Sequence, residues 1–209
     1  MKTENEPIAY RELIPLVVPP VTLEGESVRL EPLDLAHAPA LARLLEPEIF
    51  EYFNVALSSL QDVERYIAEA LTAAESGVER PFVILEKETG SVVGSTRYME
   101  IQRKHRTLEI GNTWLARRVW RSRLNTECKY LLLRHAFETL KVMRLQLKTN
   151  RRNLRSRAAI ERLGARFEGI LRHHVLIRDG QIRDSAYYSI LDTEWPEVKT
   201  RLEEKLNGR

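Results

Sequence analysis

The sequence has a single cysteine, Cys128, among its 209 residues, so an intrachain disulfide is excluded. No such crosslink is needed, because 43% of the residues are hydrophobic and the chain is long enough to bury the core of one large domain. The simplest compartment for such a protein is a reducing cytoplasm. We find no internal repeat and no low-complexity tract that would divide the chain.

Long hydrophobic runs are also missing. The most apolar N-terminal stretch, LIPLVVPPV, is short, is interrupted by three prolines and lacks the flanks of a signal peptide. No segment approaches the length of a membrane span, so the sequence predicts no membrane partner. HExxH, CxxC and Walker motifs are absent as well, which suggests neither a metal site nor nucleotide hydrolysis.

Charge is unevenly distributed although the net charge is only +3. Residues 1–80 contain 15 acidic and 6 basic side chains, whereas residues 115–185 contain 6 acidic and 18 basic ones. An ordinary solvated surface is one interpretation. The asymmetry favours the other, in which a basic region binds phosphate beside an acidic region that attracts a cation.

Hydrophobic periodicity predicts an α/β fold with one mixed sheet and helices on its faces. Residues 1–22 are predicted to be an extension, residues 23–195 one domain and residues 196–209 a helical tail. The predicted elements are, in order, a strand at 28–33, a helix opened by Pro39, a helix from Ser59 to Gly77, strands at 81–87, 92–99 and 107–115, a helix from Asn125 or Thr126 to Leu140, a strand at 144–149, a helix at 154–163, two strands joined by a type I′ turn at Asp179–Gly180, and a last helix.

Two details of these elements bear on the site. The unit over residues 107–149 should pair its two strands in parallel, because a helix connects them. Gly111 lies inside the first of these strands, and a glycine there indicates a β-bulge or a close backbone approach.

The first candidate site is the loop ARRVWRSRL, which leads from Leu115 into the helix near Asn125. A helix N-terminus presents free N–H groups and the positive end of the helix dipole, and both attract phosphate. Arginine can add two hydrogen bonds to phosphate oxygens. A basic surface turn remains the alternative. The arginines of the loop are Arg117, Arg118, Arg121 and Arg123.

Two segments, WLARRVWRSRLNTECKYLLLRHAFE and TNRRNLRSRAAIERLGARFEG, resemble in this order the GNAT superfamily of acyl-CoA-dependent N-acetyltransferases, in particular its RimJ/RimL-like branch. The second segment matches the family pattern at Asn153, Ser156, Ile160 and Gly164. The resemblance covers roughly residues 21–191. It implies a mostly antiparallel mixed sheet with two splayed parallel strands, acetyl-CoA as co-substrate and no metal.

The resemblance also implies where the donor binds. The loop and the helix start would hold the pyrophosphate, and the pantetheine arm would fill the gap between the strands of Trp114 and Leu147. The implied donor-binding residues are Trp114, Leu115, Arg118, Arg121, Ser122, Arg123, Leu124, Asn125, Thr126, Asn153 and Ser156. The sequence departs from the family pattern at Arg121 and Arg123, which stand where glycines are usual and tolerate fewer backbone conformations.

Catalysis needs an amine in its free-base form and a group that removes a proton. Glu109 is the predicted base, because relatives often have a carboxylate there; the alternative is a surface glutamate in a salt bridge. Ser156 is the predicted acid for the departing thiolate, and capping of its own helix is the alternative. Tyr187 or Tyr188 could line the site, although a tyrosine pair in a strand is more often packing.

Other reactive residue types are interpreted as structural. His135 and Cys128 lie on apolar helix stripes and are expected to be packed in the core. His173 and His174 are neighbours on a strand, so they should point to opposite faces and form no metal pair.

The sequence therefore predicts an acetyl-CoA-dependent N-acetyltransferase that acts on a cationic amine, such as a protein N-terminus, a polyamine or an amino sugar. An α-amine, with a pKa of about 8, loses its proton more easily than a lysine amine at about 10.4, which favours a protein or peptide N-terminus. The alternatives are an RNA- or ribosome-binding module, which no aromatic run supports, and an acyl-CoA-binding regulator without turnover. By resemblance, the protein could form a homodimer.

Overall fold

The computed structural model describes residues 14–208. Eight strands form one sheet in the order β1-β2-β3-β4-β5-β6-β8-β7. The β5–β6 pair is parallel and the other neighbours are antiparallel. The strands are β1 (Leu23–Glu24), β2 (Val28–Pro32), β3 (Arg80–Glu86), β4 (Ser91–Gln102), β5 (Thr107–Leu115), β6 (Arg144–Asn150), β7 (Arg166–Leu176) and β8 (Ile182–Leu191).

Five α-helices flank this sheet: α1 (Ala38–Ala42), α2 (Leu60–Glu75), α3 (Arg123–Arg134), α4 (Leu154–Arg162) and α5 (Trp195–Leu206). A π-helical turn, His135–Thr139, extends α3. The predicted mixed α/β fold and the parallel pairing across residues 107–149 are thus confirmed. No helix within residues 14–208 combines the length and the apolar character that a membrane crossing requires.

The sheet has a hydrophobic cluster on each face. Alternation along β3 shows this directly, because Phe82 and Ile84 belong to the larger cluster while Val83 belongs to the smaller one. The larger cluster includes Cys128, which is fully buried as predicted, and burial raises the pKa of its thiol to about 11. The smaller cluster joins α1 and α2 to the sheet and includes Trp114. The two faces of the sheet therefore pack against different sets of helices and side chains.

A β-bulge interrupts β5 next to Gly111. Ser95 faces Trp114 and Arg97 faces Gly111, so two residues of β5 lie opposite one of β4. Asn112, in the bulge, has φ +46°. Gly111 also permits a close approach, since a Cβ there would lie 2.6 Å from Glu109 Oε1. The β-bulge is thus confirmed, whereas the atoms that approach Gly111 belong to the side chains of Glu109 and Met99 and not to a backbone.

The parallel strands β5 and β6 pair over only three residues of each strand. Register runs from Thr107 opposite Arg144 to Glu109 opposite Gln146. Beyond this point β5 continues to Leu115 and β6 to Asn150 without pairing to each other. The two strands therefore splay apart, as the resemblance implied, and leave a wedge-shaped gap whose apex lies at Glu109.

The connection between β7 and β8 differs from the prediction. A two-residue type I′ turn was expected at Asp179–Gly180, but the strands end at Leu176 and begin again at Ile182. The longer loop contains a 3-10 turn, Arg178–Gly180, and is closed by the Ile177 N–H, which donates to the Gln181 carbonyl at 2.9 Å. An Asp-Gly pair specifies a turn but not the length of the loop around it.

Both ends of the described chain pack on the sheet. Leu16 and Val18 are buried in the larger cluster, as are Trp195, Val198 and Leu202 of α5. The predicted extension over residues 1–22 lies partly outside the described residues. The boundaries proposed for the domain stay predictions.

Candidate active site

The basic loop enters α3 two or three residues earlier than predicted. A 3-10 turn, Arg117–Val119, follows β5, and α3 begins at Arg123 instead of at Asn125 or Thr126. Ser122 is the N-cap, and its Oγ accepts the Leu124 N–H at 3.3 Å. Serine is a favoured N-cap residue, so this start could have been read from the sequence. The free N–H groups of the first turn face the end of the loop.

Arg121 has the backbone conformation that the missing glycine would adopt. Its φ is +61°, in the left-handed region that favours glycine. A non-glycine residue there costs on the order of 1 kcal/mol or more. The loop therefore has a left-handed turn at Arg121, at some cost in stability.

Three of the four loop arginines are already ion-paired. Arg117 contacts Glu46 and Glu48, at 3.3 and 3.0 Å. Arg118 contacts Glu86 at 2.8 Å, and Arg123 contacts Glu26 at 2.9 Å. Among the described residues, Arg121 is the loop arginine for which no ion pair is found. These pairs are solvent-exposed on the arginine side, so each is worth little and a phosphate can compete for the guanidinium.

Trp120 joins the loop to α4. Its indole N–H donates to the Leu115 carbonyl at 2.8 Å, and the Arg155 guanidinium lies 3.8 Å from the ring centroid. A cation over an indole face is attracted by the ring quadrupole. The two sequence segments that carried the resemblance are therefore in direct contact.

Asn153 begins α4 as predicted. Its Oδ1 accepts the Ser156 N–H at 3.0 Å, which leaves the side-chain NH₂ as the group available to a ligand. Ser156 is half-buried on the first turn of α4. Its backbone completes the cap, and its hydroxyl remains for the predicted acid role.

Glu109 is not a surface glutamate. It is 2% exposed, at the apex of the wedge. Its Oε2 accepts from Gln146 Nε2 at 3.0 Å and lies 3.0 Å from Lys148 Nζ. Burial raises the pKa of Glu109 above its ordinary value, and the Lys148 ammonium, together with hydrogen bonds from Lys148 and Gln146, opposes that rise. A buried carboxylate with a raised pKa is what proton abstraction near neutral pH requires.

Strand β8 brings a second set of polar groups to the face that bears Glu109. Tyr187 lies opposite Lys148 on β6, and its hydroxyl is 3.2 Å from His174 Nε2. His174 Nδ1 is in turn 3.0 Å from Ser185 Oγ. Of the two tyrosines considered, Tyr187 faces this side. Tyr188 faces the larger core, as packing would require.

Sequence reasoning missed a buried lysine. Lys129 lies on α3, is 7% exposed and donates to Thr113 Oγ1 at 2.5 Å, just past the bulge of β5. Burial lowers its pKa to about 8, with Glu109 acting in the opposite direction. The sequence did contain a signal for this lysine. Its neighbour Cys128 was predicted to be in the core, so Lys129 could have been recognised as a lysine beside a core position. Gln146 and Lys148 were also missed, although alternation along β6 placed both on its polar side.

His135 has a structural role. His135 is buried, and its Nδ1 lies 3.2 Å from the Tyr98 hydroxyl, so the predicted packed and hydrogen-bonded role is confirmed. Burial lowers the pKa of His135. Across residues 14–208, no three His, Cys, Asp or Glu side chains converge into a metal-binding group.

The site combines three features of an acyltransferase. These are a splayed pair of parallel strands, a helix N-terminus at the end of a basic loop, and a buried carboxylate at the apex of the gap. The family comparison agrees, because the model of the acetyltransferase (GNAT) domain matches residues 27–166. The chain therefore belongs to the GNAT acetyltransferase family. Membership implies acetyl-CoA as the acyl donor.

Similar proteins carry related names. The uncharacterized N-acetyltransferase p20 of Bacillus licheniformis is 26% identical over 179 residues, 83% of this chain and 98% of that protein. The structure of a GCN5-related N-acetyltransferase from Brucella melitensis is 30% identical, with a TM-score of 0.84 over 91% of this chain and 87% of that one. Mycobacterium smegmatis RimJ, solved with CoA-disulfide, shares the fold at 24% identity and a TM-score of 0.76 over 91% of this chain and 96% of that one.

Proposed function

We propose that this acetyltransferase transfers the acetyl group of acetyl-CoA directly to the α-amine of a protein or peptide, with Glu109 as general base. The observation that carries the proposal is the buried carboxylate of Glu109 at the apex of the β5–β6 wedge. A thioester held in that gap would lie beside the base. The amine could then attack it directly, and no covalent enzyme intermediate would be needed.

The wedge supports the proposed mode of donor binding. Beyond Glu109 the main chain of β5 at Trp114 and Leu115 has no partner on β6, so an amide-containing arm can pair with it as an added strand would. The turn at Arg121 and the start of α3 would hold the pyrophosphate. Asn153, from α4, would hydrogen-bond the arm through its side-chain NH₂.

The proposed chemistry asks little of the protein beyond position. Holding amine and thioester together supplies a large part of the rate. Glu109 would take the proton of the attacking amine, directly or through water. The Ser156 hydroxyl is the proposed acid for the leaving thiolate, since Ser156 lies on the first turn of the helix that Asn153 caps.

The charges around Glu109 favour an α-amine over a polyamine. Lys148 and Arg183 both add positive charge to this side of the sheet; burial lowers the pKa of Arg183, and the nearby Glu109 carboxylate opposes that shift. The second ammonium group of a polyamine would be repelled by these two positive charges. An α-amine of a peptide carries its single charge at the reacting atom and also needs less deprotonation free energy.

The test measures CoA thiol release with a panel of acceptors: a short peptide, a polyamine and an amino sugar. Glu109→Gln should lower turnover on the peptide by about 10²- to 10⁴-fold, the usual contribution of a general base, while acetyl-CoA still raises the melting temperature. Glu197→Gln is the matched control, because Glu197 is an exposed carboxylate on α5, where it pairs with Arg201 of the same helix. Wild-type turnover in Glu109→Gln would remove Glu109 as the base.

The same assay separates the alternatives. Stabilisation by acetyl-CoA without turnover on any amine would favour a regulator that lost catalysis. RNA binding that weakens with salt, without stabilisation by acetyl-CoA, would favour a nucleic-acid module.

A further inference from the structure

Arg183 lies on β8 and differs in its ion pairing from several other arginines in or beside the sheet. Those arginines have a carboxylate partner: Arg97 contacts Glu79, Arg144 contacts Glu168, and Arg151 contacts Asp184. No carboxylate among the described residues lies within ion-pair distance of Arg183. A half-buried cation without an ion pair has lost hydration that the protein does not replace.

The hydrogen bonds of Arg183 are also incomplete. Nη1 donates to Asn54 Oδ1 at 3.0 Å. Nε is buried and has no hydrogen-bond partner within the described part of the chain. An unpaired buried donor costs free energy that a bound acceptor group would recover.

Arg183 faces the same side of the sheet as the proposed base. Along β8, Ala186, Tyr188 and Ile190 enter the larger core, so the odd-numbered residues face the opposite side. Tyr187 is one of these, and it lies opposite Lys148, the residue paired with Glu109. Arg183 therefore belongs to the polar face built around Glu109.

Asn54 fixes the guanidinium from outside the sheet. It lies in the segment between the 3-10 turn Pro47–Ile49 and α2, far from Arg183 in sequence. Phe50, in the same segment, packs against Trp114 of β5 with ring centroids 5.5 Å apart. Phe50 thus anchors the segment to the strand that borders the wedge, and Asn54 of the same segment holds the Arg183 guanidinium.

We propose that the Arg183 guanidinium binds a carbonyl or carboxylate oxygen of the acceptor, and so selects amines that carry such an oxygen near the reacting nitrogen. This rests on the proposed function, since Arg183 is assigned to the acceptor that Glu109 deprotonates. The first carbonyl of a peptide main chain and the carboxylate of a free amino acid share this chemistry. A plain alkylamine and a polyamine lack it.

The experiment compares kcat/KM of wild type and Arg183→Gln on four acceptors: a dipeptide amide, a free amino acid, an alkylamine of similar size and a polyamine. For the oxygen-bearing acceptor that is used best, Arg183→Gln should lose on the order of 10- to 100-fold, mainly through KM, as expected for a hydrogen bond from a charged group. The alkylamine should stay near its wild-type value. Loss on the dipeptide amide identifies a carbonyl, and loss on the free amino acid alone identifies a carboxylate.

Two further variants guard against a folding defect. Arg183→Lys keeps the charge and should recover part of the lost kcat/KM, and Asn54→Ala should produce a smaller loss with the same acceptor preference. Equal losses on the alkylamine and the oxygen-bearing acceptor, or no loss on either, would overturn the role of Arg183 while leaving the acetyltransferase intact. A wild type that is inactive on every amine would overturn the proposed function and this assignment with it.

Discussion

Replacing Lys148 with methionine tests the electrostatics of the proposed base. Lys148 Nζ lies 3.0 Å from Glu109 Oε2, and the two side chains are 20% and 2% exposed. An opposite charge at this distance lowers a carboxyl pKa by about 1–3 units, and a unit corresponds to about 1.4 kcal/mol. Methionine keeps most of the side-chain volume and removes the charge, so the pKa of Glu109 should rise further above its already raised value.

The sign of the effect on rate follows from the role of the base. Glu109 can accept a proton only when ionised, so kcat/KM should rise with pH through its pKa. In Lys148→Met this acidic limb should move to higher pH by about 1–2 units, and below it the rate should fall by about 10-fold for each unit of displacement. The ionisation of the acceptor amine contributes its own limb, but it is identical for both enzymes and cancels in the comparison.

The assay is thiol release at saturating acetyl-CoA, with kcat/KM for one amine measured from acidic to alkaline pH. Lys199→Met is the matched control, because Lys199 is also an ion-paired lysine but contacts Glu138 near the C-terminal helix. An acidic limb at the same pH in wild type and Lys148→Met would refute the argument that this ion pair sets the protonation of the base.

The remaining predictions concern the loop and the strand that border the wedge. Arg121→Gly should raise the melting temperature by about 2–4 °C, for relief of about 1 kcal/mol of backbone strain at φ +61°, whereas Arg121→Ala, which keeps a Cβ, should not. A lower melting temperature in the glycine variant would contradict this. Gly94→Ala should destabilise the fold by about 2–3 kcal/mol, or roughly 5–10 °C, because its Cβ would lie 2.1 Å from the Trp114 carbonyl oxygen. Gly90→Ala is the comparison, since nothing lies within 4 Å of a Cβ there and its loss should be limited to about 1 kcal/mol, or about 2–4 °C, for a non-glycine residue at φ +66°; an equal loss in the two variants would count against close packing of β4 on β5.

Much of the fold and part of the site could be predicted from local patterns. Ser59 and Asn153 cap their helices as expected, because an N-cap side chain bonds to a backbone N–H only two or three residues away. Alternation along β6 is also visible in the sequence, since a strand shows opposite faces at every second residue. The resemblance supplied the family and the splayed strands, which no local pattern reveals.

The partners of the site residues were beyond reach of the sequence. Glu109 was the predicted base with a surface salt bridge as the alternative, and no local pattern could show that it is buried against Lys148, because β5 and β6 align at this point and separate just beyond it. The sequence also could not show that carboxylates from distant segments pair with three of the loop arginines.

The sequence by itself therefore determined which segments are helices and strands, where several of them start, and to which family the chain belongs. The tertiary structure alone decided the register between strands, the burial of Glu109 and the meeting of Arg183 with Asn54, residues 129 positions apart. The physical reason is the sequence separation of the interacting residues. A helix cap or an alternating strand face is set by residues that are close along the chain. The burial and charge that tune a catalytic group depend instead on which distant side chains the packed sheet brings to it.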